Sequence, residues 1–109
     1  MRNVLFICTQ NRLRSPTAQQ IFSTYPDIQC LSAGLGHDAV IPVTAELLAW
    51  ADLIFVMEKA HCNKLSAKFK TQLVNKLLIC LDIPDEYDFM DEELIHLLKL
   101  KVSRFLPLR

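Results

Sequence analysis

With 109 residues the chain has room for one domain around one core, spanning 1–109, and a second folded unit is not expected. Hydrophobic residues make up 51% and charged residues 22%, enough apolar side chain for a buried core, which excludes a disordered chain. Lys plus Arg and Asp plus Glu are 12 each, so there is no net field to grip nucleic acid or a membrane surface, and any anion site must be local. The longest apolar runs, Val4 to Cys8 and Leu77 to Leu81, fall far short of the roughly 18 residues of a membrane span, and Asn11, Arg12 and Arg14 break up any signal peptide. The four cysteines, Cys8, Cys30, Cys62 and Cys80, form no C-x-x-C pair. A cytoplasmic protein with reduced thiols is expected.

Asn3 to Cys8 is a continuous apolar run ending at a polar loop, the pattern of a strand buried on both faces of a parallel sheet. A helix follows from Ser15 to about Thr24, with Ser15 in the N-cap place, Pro16 at the first helical position, and Ala18, Ile21 and Phe22 at helical spacing. After the break at Tyr25-Pro26-Asp27, Ile28 to Ser32 predicts a second strand, and the only two glycines, Gly34 and Gly36, mark a turn. Thr44 caps a helix carrying Leu47, Leu48 and Trp50, and Asp52 to Met57 is a third strand. Glu58 to about Phe69 predicts a third helix and Lys76 to Leu81 a fourth strand. Asp82 to Asp91 is an acidic loop, and Asp91 caps a last helix bearing Leu94, Ile95, Leu97, Leu98 and Val102.

This alternation predicts an α/β fold: a doubly wound, three-layer, four-stranded parallel sheet with helices on both faces, in the order 2-1-3-4. Ligands of such sheets bind beyond the carboxyl ends of the strands where the order reverses, between strands one and three. Cys8 stands at that point.

Cys8 to Ser15 reads C-x5-R-S, a thiol closing a strand and an arginine opening a helix. Chance alone would place an arginine six residues after some cysteine about one time in five, so the spacing is informative only in this strand-to-helix setting. Successive backbone N–H groups of Thr9, Gln10, Asn11, Arg12, Leu13, Arg14 and Ser15, backed by the positive end of the helix, would cradle a phosphate. Arg14 would clamp two of its oxygens, and the same donors with the Ser15 hydroxyl would stabilise a Cys8 thiolate as nucleophile. The loop contains no glycine, and Asn11 is the residue in it that tolerates a left-handed backbone.

The stretch VLFICTQNRLRSPTAQQIF resembles the nucleophile loop of the low-molecular-weight protein tyrosine phosphatases. Ser32-Ala33-Gly34, Ala51 to Glu58 (ADLIFVME) and Ile83-Pro84-Asp85-Glu86-Tyr87 are similar to that family in the same order, so the resemblance spans nearly the whole chain. It implies the flavodoxin-like fold of that family and hydrolysis of phosphomonoesters, protein phosphotyrosine foremost. It further implies a Cys8 phosphocysteine, phosphate bound by Arg14, a loop braced by Asn11 and Ser15, Asp85 as general acid, and neither metal nor organic cofactor. Charge by itself does not choose among Asp82, Asp85, Glu86, Asp88, Asp91, Glu92 and Glu93, and Asp82 is the main rival to Asp85.

Against the family pattern, the segment before strand three is shortened to Leu35 through Trp50, which removes part of the usual pocket wall. Gln10 and Leu13 replace a glycine and a second cysteine, Arg12 adds positive charge at the mouth, and Glu86 replaces a proline. Tyr87 is open either to stacking on an aromatic leaving group or to packing on the core. The expected partners are a phosphorylated substrate, phosphate or another oxyanion, with no nucleic acid and no membrane. Two alternatives use the same loop: an arsenate reductase, whose cysteine relay would need two further thiols near Cys8, where Cys80 is the one candidate and Cys30 and Cys62 read as core or helix positions, or a non-catalytic oxyanion-binding module. A zinc site is not expected, because His61, Cys62, Cys80 and Cys30 lack clustered ligand spacing. Gly34-Leu35-Gly36-His37-Asp38-Ala39 imitates a dinucleotide fingerprint, but Val40-Ile41-Pro42 follows where a helix would have to open. No role attaches to His37, His61 or His96. Leu106 and Leu108 are open either to an interface or to packing on the core.

Overall fold

A computed structural model describes residues 2–106. Its elements run β1 (Arg2–Cys8), α1 (Arg14–Phe22), β2 (Ile28–Gly34), α2 (Ala45–Trp50), β3 (Leu53–Val56), α3 (Lys59–Lys68), β4 (Leu77–Cys80) and α4 (Glu92–Val102). All strand pairs are parallel and the order is β2-β1-β3-β4, as the alternation of elements requires. The continuous apolar runs follow from burial on both faces. Val4, Phe6 and Cys8 of β1 point into a core shared with Ala18 and Phe22 of α1 and Leu94, Leu98 and Val102 of α4. Leu5 and Ile7, one residue out of phase, point the other way onto Leu48 of α2 and Leu65 of α3. Phe6 stacks between Phe22 and Phe55 with ring centroids 5.6 and 5.4 Å away, each pair adding about 0.5–1.5 kcal/mol beyond its buried area.

The expected caps hold at two helices: Thr44 Oγ1 accepts from Leu47 N at 3.2 Å, and Asp91 Oδ1 accepts from Glu93 N at 2.8 Å. They fail at α1. That helix begins at Arg14 with Leu13 in the N-cap place, and Ser15 lies inside its first turn with its hydroxyl turned to the loop. A Ser-Pro pair reads as a cap locally, but the buried polar groups of the loop compete for that hydroxyl and win. The helix also stops at Phe22, short of Thr24, and β2 runs on to Gly34. β4 is as apolar as β1 yet forms an edge, with Leu77 and Cys80 exposed. Leu106 packs back onto the first core, while Leu108 lies outside the described residues. Among the described residues no helix is long and apolar enough to cross a membrane.

Candidate active site

β1 ends at Cys8, and the chain then turns through Thr9–Leu13 into α1. What shapes this turn is the stretch that follows β2, residues 35–40. Leu35 N donates to the Cys8 carbonyl at 3.0 Å, Gly36 N to the Thr9 carbonyl at 2.7 Å and Val40 N to the Gln10 carbonyl at 3.0 Å. With these carbonyls drawn outward, the loop's amides are left to face its centre. The approach demands glycine: a Cβ on Gly34 would stand 2.7 Å from the Thr9 carbonyl oxygen and 2.9 Å from the Asn11 nitrogen. The two glycines thus back the loop, which is the physical role behind the false dinucleotide fingerprint.

Cys8 is buried, and its sulfur accepts from Asn11 N at 3.2 Å. Asn11 takes φ 57°, and its side-chain amide donates to Ser15 Oγ and Ser32 Oγ, both at 2.9 Å. Ser15 Oγ, used as an acceptor by Asn11, lies 3.0 Å from the Cys8 sulfur and 3.4 Å from the Ala33 carbonyl, either of which can take its hydrogen. A sulfur acting as nucleophile could accept from both the Asn11 N–H and the Ser15 hydroxyl. Ser32 passes the chain on by donating to Gln19 Oε1.

Arg14 is 2% exposed, and a buried guanidinium needs partners to offset lost hydration. Its Nη1 donates to Glu58 Oε2 at 2.6 Å and to the Ile83 carbonyl at 2.8 Å, which uses both Nη1 hydrogens. Nε lies 3.8 Å from Asp85 Oδ1, and the Nε and Nη2 edge is the one left to the cavity. That cavity, about 120 Å³, is lined by Cys8, Thr9, Gln10, Arg12, Leu13, Arg14 and Asp85. It suits a phosphate and the first atoms of its ester group, being well below the roughly 300–1,000 Å³ of a drug-sized pocket. Asp82 does not line it; that residue is exposed, and its carbonyl accepts from Lys101 Nζ at 3.1 Å.

Two residues that sequence reasoning left without a role complete the surroundings. Glu58 precedes α3 and holds Arg14. His61, in the first turn of α3, is buried; its Nδ1 accepts from Glu58 N at 3.1 Å and its Nε2 lies 3.0 Å from Thr9 Oγ1. Burial pushes His61 below its ordinary value, with Arg14 and Lys64 acting in the same direction and Glu58 and Asp85 opposing.

The Wzb low molecular weight protein-tyrosine-phosphatase of Escherichia coli K12 is 30% identical to this chain, over 78% of each protein. The chain belongs to the low-molecular-weight protein-tyrosine-phosphatase family. It is a phosphoric monoester hydrolase. The fold agrees: the tyrosine phosphatase Wzb of Escherichia coli K30 in complex with phosphate superimposes with a TM-score of 0.77 at 23% identity, over 94% of each chain. The YwlE arginine phosphatase of Geobacillus stearothermophilus does so with 0.73 at 17% identity, over 100% of each. No protein-family model matches the chain.

Set against this phosphatase family, the expected nearness of Cys80 to the nucleophile fails, and Tyr87 takes the packing role. Cys80 is not near Cys8: it sits exposed at the end of the edge strand, and its side chain shares the face of Leu78, opposite to that of Cys8. Its thiol is instead beside Cys62, whose own thiol is pushed up by burial and then by that neighbour. Tyr87 is half-buried against the first core and does not line the cavity. Its hydroxyl is pushed up by desolvation and by Glu93, Glu86 and Asp91, which places it towards the start of α4. No residue of the shortened segment 35–50 lines the cavity either. Cys30 lies in the first core, its thiol raised by burial to about 11. Among the described residues, no group of three or more His, Cys, Asp or Glu side chains is arranged to hold a metal ion.

Proposed function

We propose that the chain hydrolyses phosphotyrosine on protein substrates through a Cys8 phosphocysteine, with Arg14 as phosphate clamp and Asp85 as general acid. The phosphate sits on the amides of Thr9 to Ser15, its oxygens meeting Arg14 through Nε and Nη2 while Glu58 and the Ile83 carbonyl hold Nη1 still. The Cys8 thiolate attacks phosphorus, the S–P bond forms, and the bond to the tyrosine oxygen breaks as Asp85 supplies that oxygen with a proton. Asp85, now a carboxylate, takes a proton from water, whose oxygen attacks phosphorus and releases inorganic phosphate and the thiolate.

The observation that carries this reading is the convergence of Cys8, Arg14 and Asp85 on one small cavity, with the Asn11 amide on the Cys8 sulfur. Exposure of Asp85 at 63% leaves its carboxyl open first to the leaving oxygen and then to the attacking water. Hydrolysis of a small aryl phosphate and of a phosphotyrosine peptide tests it, with Cys8→Ser, Arg14→Ala, Asp85→Asn and Asp82→Asn alongside. The first two should abolish turnover and Asp85→Asn should lower kcat about 10²–10⁴-fold, while Asp82→Asn stays near wild type. A wild type that binds vanadate but turns over neither substrate would leave an oxyanion-binding module.

A further inference from the structure

Thr9 is the point where the phosphate loop touches α3, and the contact fixes the direction of a hydrogen. Because Nδ1 of His61 accepts from Glu58 N at 3.1 Å, the proton of the neutral ring belongs to Nε2, which donates to Thr9 Oγ1 at 3.0 Å. The Thr9 oxygen is thereby used as an acceptor, and among the described residues its own hydrogen has no protein acceptor. Thr9 lines the cavity next to Cys8.

We propose that the Thr9 hydroxyl donates a hydrogen bond to a phosphoryl oxygen of the substrate and that neutral His61 is the positioning residue that aims it. The inference rests on the phosphatase reading of this same site and adds a second side-chain donor, beside Arg14, to the backbone amides of the loop. A protonated ring would carry hydrogens on both nitrogens and could no longer accept from Glu58 N, so the anchor requires the neutral form. The charged groups facing the ring are Glu58, with Oε2 4.0 Å from Nε2, Lys64 on the same helix, Arg14 from α1 and Asp85 from the loop after β4.

The test is a mutant cycle read as kcat and KM on an aryl phosphate, with vanadate affinity measured in parallel. Thr9→Val keeps the shape and removes the donor, and should lower kcat/KM about 10-fold, while Thr9→Ser stays within about threefold of wild type. His61→Asn keeps an acceptor for Glu58 N but cannot reach Thr9, so it should lower kcat/KM about fivefold in the wild-type background and change nothing in the Thr9→Val background. The acid limb of the wild-type pH profile should lose the His61 titration in both single variants. A Thr9→Val enzyme as active as wild type overturns the proposal and leaves the phosphatase reading intact. An equal loss from His61→Asn in both backgrounds also overturns it, since His61 would then act on the fold alone. If wild type shows no turnover, the same cycle in vanadate affinity decides. A wild type that neither turns over nor binds vanadate removes both readings together.

Discussion

Asn11 carries three duties in one side chain and one φ angle. The left-handed backbone turns its own N–H onto the Cys8 sulfur, and its amide then holds Ser15 and Ser32. Asn11→Ala should lower stability by about 2–3 kcal/mol, about 1 from the left-handed backbone and the rest from the buried hydroxyls left without their donor. Asn11→Gly removes the backbone cost only, so the difference between the two variants in urea unfolding isolates it. Activity should fall in both, because the Asn11 side chain no longer holds Ser15 Oγ beside the sulfur. Arg14→Lys tests the clamp in the same spirit. An ammonium cannot hold Glu58 and the Ile83 carbonyl while presenting two further parallel donors to phosphate, so kcat/KM should drop about 100-fold or more on an aryl phosphate although the charge is kept. The pair Cys8 and Arg14 was legible in the sequence because a short loop puts both on one local turn. Glu58 and His61 were not, since each meets the loop across more than forty residues and only the parallel register of β1 and β3 brings them there.

At the scale of elements, α3 is anchored through a titratable side chain. The folded state lowers the affinity of His61 for a proton through burial, so the unfolded chain binds more protons than the native one in a window below the ordinary value of 6.5. Stability from this group is thus fully present above that value and is lost as pH falls through the window towards the lowered value. Urea midpoints measured from pH 7.5 to 5 should decline for wild type and decline less for His61→Asn. A neutral cap gives the contrast: Thr44→Ala should cost about 1 kcal/mol at every pH in that range. The same comparison shows where sequence reading ends. Thr44 and Asp91 were readable as caps because their partners are two or three residues away. Ser15 had an equally good local signature, but its partners are Cys8 and Asn11, and the closure of the loop before the helix overrode the cap. Likewise the apolar run of β4 reads like that of β1, because composition reports that a strand is buried on some face without saying whether a neighbour pairs with both edges.

Across the whole molecule, the order β2-β1-β3-β4 puts the nucleophile beside the central crevice and sends Cys80 to the far edge. Two strand spacings separate β1 from β4, about 9.5 Å, and the pleat turns Cys8 and Cys80 to opposite faces. A disulfide cannot reach between cysteines whose Cα atoms are more than about 7 Å apart. Leu13, in the place where the family has a second loop cysteine, offers no nearer thiol. Oxidation of Cys8 by peroxide should therefore proceed from sulfenic to sulfinic acid without diversion into an internal disulfide. Activity lost to a short peroxide exposure should return with added thiol, activity lost to a longer one should not, and Cys80→Ser should change neither rate. Peptide mapping of the oxidised native protein should find sulfinic acid at Cys8. A Cys8–Cys80 bridge in that map would mean that the edge strand leaves the sheet on oxidation. The relay that an arsenate reductase needs would then be open to this fold.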